Sequence, residues 1–219
     1  MTTTATKSRP IRQCDWEVRA ILSGNKTQTR RVINRVNGLG SVTCFGGSET
    51  DGYDFALRDR RDMWNEFRED ELLNLCPYGV PGDELWVRET WRPLCEFDPS
   101  PETGAAYWAD SHAGLERRNG DAKWRPSIHM PRWASRITLT VKAVRVERLQ
   151  DISEADAIAE GVELTQQSQG LYYKHPSDQR MTAVASLAFQ WLWESINGPD
   201  SRDANPWVWV LDFERKAVG

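Results

Sequence analysis

Lys26-Thr27-Gln28-Thr29-Arg30-Arg31 is the stretch on which the reading of this chain turns. Six residues bring together an amine, two hydroxyls, an amide and two guanidiniums. Alone, the run reads as a solvated strand, since Thr favours strands and exposed charge keeps a sheet edge soluble. What precedes it adds a constraint. Asp15 suits a helix N-cap, and Trp16, Val18, Ala20, Ile21 and Leu22 continue a short amphipathic helix. Gly24 or Asn25 suits its left-handed C-terminal cap. Lys26 therefore leaves a helix C-terminus, whose partial negative charge favours an ammonium.

The chain around this run is polar but not disordered in composition. Of its 219 residues, 39% are hydrophobic and 27% charged, enough apolar side chains for one sizeable core carrying insertions. The 11 Trp supply large apolar area with one donor each, so most are expected in the core or in cleft walls, with one or two offering a flat face to a planar ligand. A net charge of -4 argues against broad, sequence-blind binding to long nucleic acid, while leaving room for a local basic pocket. Cys14, Cys44, Cys76 and Cys95 contain no CxxC pair and read as free thiols of a reducing cytoplasm rather than a zinc set. No cofactor and no metal are expected. No apolar run approaches membrane-spanning length, so the expectation is a soluble cytoplasmic protein.

Along the chain, 9–12 reads as a short strand with Pro10 at its beginning or edge. Residues 34–52 are rich in Gly, Ser, Thr and Asn and read as a loop or hairpin. The charged stretch 54–75 reads as a solvated face with Trp64, Phe67 and Leu72 as buried points. Pro81-Gly82-Asp83 fixes a reversal into 84–91, where Leu85, Val87 and Glu89 alternate with Trp86, Arg88 and Thr90 as in a strand. Residues 107–110 read as another strand.

In 123–136, Pro126 and Pro131 prevent a regular helix, while basic and large apolar residues interleave. Two readings stay open for it: a cleft wall with anion-binding groups, or an ordered loop pinned by Trp124 and Trp133. His129 within it reads as structural. The longest strand is expected over 136–149, bulged after Val141. A helix follows with Ser153 as N-cap, Asp156 as capping partner and Gly161 as terminator. Glu160 then sits on the last turn, where a carboxylate opposes the helix dipole, so either solvent screens the cost or a cation such as an ammonium lies nearby. Residues 163–179 read as a loop, 182–197 as a helix, and 207–213 as a closing strand with Trp207, Trp209, Leu211 and Phe213 on one side.

Four of these runs together resemble a known family. They are 18–24 with 26–31; Pro81-Gly82-Asp83-Glu84-Leu85-Trp86-Val87-Arg88-Glu89; Ile152-Ser153-Glu154-Ala155 through Glu160-Gly161; and Asn205-Pro206-Trp207-Val208-Trp209-Val210. In this order the chain is similar to the ASCH domains of the PUA-like superfamily, in particular the larger versions of phages and prophages. The resemblance implies an α+β fold: a partly closed β-barrel with flanking short helices, as one domain over 8–215 with insertions at about 36–75, 96–122 and 163–180. Family members are associated with RNA or nucleotide binding.

One bacterial branch of the family removes the acyl group from N4-acetylcytidine with a Lys, a Thr and a Glu. The match assigns those roles to Lys26, Thr29 and Glu160. Such a reaction needs a nucleophile, a group to move its proton and a partner for the developing oxyanion. Thr29 would attack, Lys26 would take its proton, and Glu160 would orient the amine or share in the transfer. Strict alternation puts Lys26 and Thr29 on opposite faces of a strand, so the run must start irregularly for both to face one cleft. Arg30, Arg31, Glu89, Lys123, Trp124, Arg125, Arg132, Trp133 and Arg136 are the candidate substrate contacts. The partner is then a modified nucleoside, or RNA or single-stranded nucleic acid bound without catalysis, and the chain has no membrane role.

Overall fold

The computed structural model of this protein describes residues 6–110, 123–167, 170–174 and 180–216. Its architecture is α+β, mostly strand with few helices. The organising element is a five-stranded sheet built from β1 (Ser8–Arg12), β2 (Gln28–Val32), β7 (Glu84–Arg88), β10 (Thr138–Arg148) and β14 (Trp207–Arg215). Their spatial order is β1-β7-β10-β14-β2, with β1 and β7 parallel and the other pairs antiparallel. The remaining elements in chain order are α1 (Asp15–Leu22), β3 (Arg35–Val36), β4 (Gly40–Gly47), β5 (Phe55–Asp59), β6 (Trp64–Phe67), α2 (Glu69–Leu73), β8 (Trp91–Pro93), β9 (Ala105–Tyr107), α3 (Glu154–Ala159), β11 (Leu164–Gln167), β12 (Gly170–Lys174), β13 (Met181–Thr182) and α4 (Ala185–Asn197).

β14 sits inside the sheet because its sequence is apolar on both sides, as a strand covered on both faces requires. Trp209, Leu211 and Phe213 enter one core, with Trp207 packed against it, together with Leu85, Val87, Leu139 and Val141 from the sheet and Val18 and Ile21 from α1. Val208 and Val210 point the other way, into a second core with Ala157 of α3 and Ala188, Phe189, Leu192 and Trp193 of α4. β10 shifts register against β14 between Val141 and Ala143. β10 pairs with β7 over 138–140 on one side and with β14 over 139–148 on the other.

The sheet does not close into a barrel. β1 and β2 each pair on one side only, and the bridge between them is a side chain: Arg31 Nη2 donates to the Arg12 carbonyl at 2.8 Å and to Gln13 Oε1 at 2.9 Å. Pro10 in β1 lacks the N–H that a ladder on both sides would need, which suits it to an edge.

Several local expectations change. Residues 34–52 form a hairpin of β3 and β4, the first two strands of an antiparallel sheet of order β3-β4-β5-β6, and Val36, Phe55, Leu57 and Leu72 share the core of the main sheet. Of the loop and hairpin readings of 34–52, the hairpin is the one found, and 36–75 packs as a layer on the main core. Leu72 is buried, but Trp64 is 57% exposed because β6 is an edge strand and its indole carries the Arg58 guanidinium 5.9 Å from its centroid. Cys14 rather than Asp15 is the N-cap of α1. The strand expected at 107–110 ends at Tyr107 and turns into a 3-10 helix over Trp108–Asp110. Within 163–179, β11 and β12 form a hairpin. The α4 helix starts at Ala185, Thr182 being in β13. Residues 111–122, 168–169 and 175–179 of the expected insertions lie outside the described residues. No helix among the described residues is long and apolar enough to cross a membrane.

Residues 123–136 are an ordered loop of two 3-10 turns, Ser127–His129 and Arg132–Ala134. Met130 and Ala134 are buried with Trp91 in a small third core, and Trp133 packs edge-on against Trp91.

The packing makes a prediction about the thiols. Burial pushes the Cys76 thiol up to about 12, whereas Cys44 is exposed. A thiolate-directed alkylating reagent at about pH 8 is expected to modify Cys44 in the native protein and to spare Cys76 until denaturant is added. Mass spectrometry of natively labelled peptides checks this, and labelled Cys76 would contradict the core.

Candidate functional site

Three chain segments converge on the opening run. α1 ends at Leu22, and the backbone N–H groups of Asn25 and Lys26 both donate to the Ala20 carbonyl. α3 ends at Glu160, its C-cap, and the Thr27 N–H donates to the Ala159 carbonyl at 2.8 Å. The Thr27 carbonyl accepts from the Phe213 N–H of β14. Lys26 and Thr27 therefore precede β2 and link two helix C-termini to the sheet.

The Lys26 side chain is fully buried. Its Nζ donates to Glu160 Oε2 at 2.7 Å and to the Glu160 carbonyl at 2.8 Å, so one amine answers both the carboxylate and an orphan carbonyl of the helix end. Glu17 Oε1 lies 3.6 Å away, and the Trp16 ring centroid 5.5 Å away. Gly161 makes this approach possible. Its φ is +86°, and a Cβ there would lie 2.9 Å from Lys26 Cβ and 3.1 Å from Ala20 Cβ.

Around this pair is a layer of charge, buried at Arg30 and half-buried at the acids that meet it. Arg30 meets Glu160 Oε1 at 3.3 Å, Glu147 Oε2 at 3.1 Å and Asp156 Oδ2 at 3.5 Å, donates to Gln28, and lies 5.8 Å from the Phe189 centroid. Gln28 Nε2 donates to Asp156 and Asp212, and Arg145 pairs with Glu147, Asp156 and Asp212. Burial alone would raise the Glu17 carboxyl, but the nearby Lys26 and Arg31 cations and the Cys14 N–H outweigh it and hold it below its ordinary value. A cavity of about 70 Å³ borders this layer, lined by Trp16, Glu17, Arg30, Glu160, Phe189 and Trp193 among others. Beyond Trp16 opens a groove of about 1100 Å³ between α1, the end of α3 and the β11–β12 hairpin.

The structure brings Lys26 and Glu160 together but leaves Thr29 apart. In the β2–β14 ladder Thr29 pairs with Leu211 and Arg30 with Val210, so Thr29 shares the core face and Arg30 the helix face. Thr29 is fully buried, and its Oγ1 has no hydrogen-bond partner among the described residues. The two faces meet round the free edge of β2 at Glu17, which lies 3.8 Å from Arg31 Nη2 as well as near Lys26.

The other expected contacts are dispersed. Glu89 is buried and held by Arg136 at 2.9 and 3.0 Å, with Arg136 also on Asp110 and 4.0 Å from the Tyr107 centroid. Burial raises the Glu89 carboxyl, against the pull of Arg136. Arg125 pairs with exposed Glu96 and stands 5.4 Å from the Trp91 centroid. Trp124 meets Trp108 edge-on and carries Arg92 at 5.3 Å. Lys123 and Arg132 are exposed. No hydrogen bond or ion pair among the described residues joins any of these to Lys26 or Glu160.

Glu17, Trp16 and Phe189 escaped the sequence reading. An acid in the first turn of a helix reads as a dipole complement, and an aromatic at helical spacing reads as core. Comparison with protein-family models, with curated proteins and with solved structures finds no match for this chain.

Two predictions test the geometry. Gly161→Ala is expected to cost about 1–3 kcal/mol, from positive-φ strain and the clash with Lys26, in urea unfolding. Because Glu17 is held below its ordinary value, it stabilises the fold above that value, and the contribution is lost as pH falls through the lowered one. Glu17→Gln should therefore flatten the acid limb of the stability curve below about pH 5.

Proposed function

We propose that this chain is an ASCH-type protein of the PUA-like superfamily and an amidohydrolase acting, in the cytoplasm, on an N-acylated, N4-acetylcytidine-like nucleoside. The observation that carries the reading is the buried Lys26–Glu160 contact at 2.7 Å beside a cavity walled by Trp16, Phe189 and Trp193. An amine and a carboxylate at that distance form a unit that can receive and return one proton, as an amide hydrolysis requires. The open sheet whose edges are bridged by Arg31 is, in this reading, the counterpart of the family's partly closed barrel.

Thr29 is the proposed nucleophile. Its oxygen forms a bond to the acyl carbon and its proton passes to the Lys26–Glu160 pair. Collapse of the oxyanion breaks the C–N bond, the pair returns the proton to the departing N4, and water releases the acyl group as a carboxylate. For this to happen the start of β2 must shift, because Thr29 Oγ1 is buried on the core face while Glu160 meets Arg30 on the helix face. The alternative, a non-catalytic nucleotide-binding module using Arg30, Arg31, Lys123, Arg125, Arg132 and Arg136, is less favoured because four of the six, Arg30, Arg31, Arg125 and Arg136, already meet a carboxylate.

The purified protein is expected to release acetate from N4-acetylcytidine without added metal. Glu160→Gln and Lys26→Met should abolish turnover while circular dichroism stays native, and Thr29→Val distinguishes a reacting hydroxyl from an attacking water. Absence of turnover across a panel of N4-acylated nucleosides would sink the proposal.

A further inference from the structure

β6 ends the sheet of order β3-β4-β5-β6, and among the described residues no strand pairs with its outer side. Which of its backbone groups are left over follows from its ladder with β5. The Asp59 N–H donates to the Met63 carbonyl at 3.0 Å, and the Asp54 N–H to the Phe67 carbonyl at 3.0 Å. Met63 and Phe67 thus turn their backbone groups toward β5, and Asn65, opposite Leu57, does the same. Alternation then turns the N–H and C=O of Trp64 and Glu66 outward, without a ladder partner.

An open edge is a template for pairing with another chain, and proteins that stay apart guard it with proline, lysine or a covering segment. The edges of the main sheet are guarded in this way: Pro10 sits in β1, and Arg31 reaches from β2 to the Arg12 carbonyl. β6 is Trp64-Asn65-Glu66-Phe67 and has neither proline nor lysine. It carries the exposed Trp64 indole instead, with Met63 immediately before it 59% exposed.

The flanking charges say what fits this edge. Arg58, Arg60 and Arg61 precede β6, and Glu69, Asp70 and Glu71 follow it. Arg60, Glu69 and Asp70 are exposed, and their side chains form no ion pair among the described residues. A strand that is basic before and acidic after is complementary to itself when a second copy runs antiparallel to it. The register that uses both free residues sets Trp64 of one copy opposite Glu66 of the other, each such pair exchanging two hydrogen bonds. A two-fold axis then passes between the two Asn65 residues, and Met63 faces Phe67 of the other copy. The same register carries Arg60 and Arg61 toward Asp70 and Glu69 of the other copy, and Asp62 toward Arg68.

We propose that two copies of this chain pair antiparallel through β6 in solution, joining their two sheets into one and covering Trp64 and Met63. Nothing in this pairing depends on the chemistry at Lys26, so it stands apart from the amide-hydrolysis reading. A junction of one four-residue strand per copy and its charged flanks makes a weak, reversible dimer, with a dissociation constant in the micromolar range.

The test is sedimentation equilibrium of the full chain from about 1 to 200 µM, which is expected to show monomer and dimer in equilibrium, with weaker association at high salt. Trp64→Lys puts a charge on the open edge and should weaken the dimer at least about tenfold, with an unchanged far-UV circular dichroism spectrum. Arg60→Glu brings like charges together twice in each dimer and should weaken it about tenfold, whereas Arg60→Glu/Asp70→Arg exchanges the two charges and should restore it. Asn65→Cys sets two thiols across the axis at a position of close Cα approach, and mild oxidation should yield a covalent dimer joined through position 65, well above the level of the parent chain.

A chain that stays monomeric at about 200 µM leaves the edge to another protein or to none and overturns the proposal. A dimer untouched by both Trp64→Lys and Arg60→Glu, or one that Asn65→Cys fails to cross-link, has its interface elsewhere and overturns it as well. Failure of Arg60→Glu/Asp70→Arg to restore association overturns the antiparallel register.

Discussion

The buried amine of Lys26 is the constraint on which the remainder of this structure depends. A charged group taken out of water must find partners, and its cost is severe if they are removed. Here the partners are the carboxylate and carbonyl of Glu160 at one helix end, with Glu17 from a second helix. Because α1 and α3 both end against Lys26 and Thr27, satisfying one side chain sets where two helices stand relative to the edge of the sheet. Gly161 follows from the same demand, since a Cβ there would collide with the Lys26 stem.

β2 transmits that constraint in two directions. Alternation sends Gln28 and Arg30 toward α3 and α4, and Thr29 and Arg31 toward the main core. On the helix side, a buried guanidinium has to be surrounded by acids, and Glu147, Asp156 and Glu160 come from β10 and α3 to meet it. The interface between sheet and helices is therefore split into an apolar half around Trp193 and a charged half around Arg30. On the core side, Arg31 crosses from β2 to β1 and takes the place that backbone pairing would occupy in a closed barrel. The sheet stays open, and at the free edge of β2 Glu17 lies near both Lys26 and Arg31.

Local chemistry made much of this legible. Ser153 does cap α3 through the Asp156 N–H, Gly161 does end it, and of the two readings of the acid on its last turn, solvent screening or a nearby cation, the cation is the one found. The bulge after Val141 and the one-sided row of Trp207, Trp209, Leu211 and Phe213 were equally readable, because a strand reports its faces with period two. The stretch 34–75 was less so. Its strands are short, glycine-rich and charged on the outside, and their few inward residues, such as Val36 and Leu57, gain meaning only from the core they share with the main sheet.

What the sequence by itself determined is therefore local: where helices end, which residues of the closing strand share one side, and that Lys26 and Glu160 each stand at a helix C-terminus. What only the tertiary structure decided is which of the many charges are consumed and which are left. Arg30, Arg31, Arg125 and Arg136 are neutralised by acids elsewhere in the chain, whereas Arg88 and Arg132 flank Trp86 with no carboxylate at ion-pair distance. Composition carries no information about that division, because an ion pair forms between residues brought within a few ångströms by strand register and helix packing, and sequence separation does not limit it.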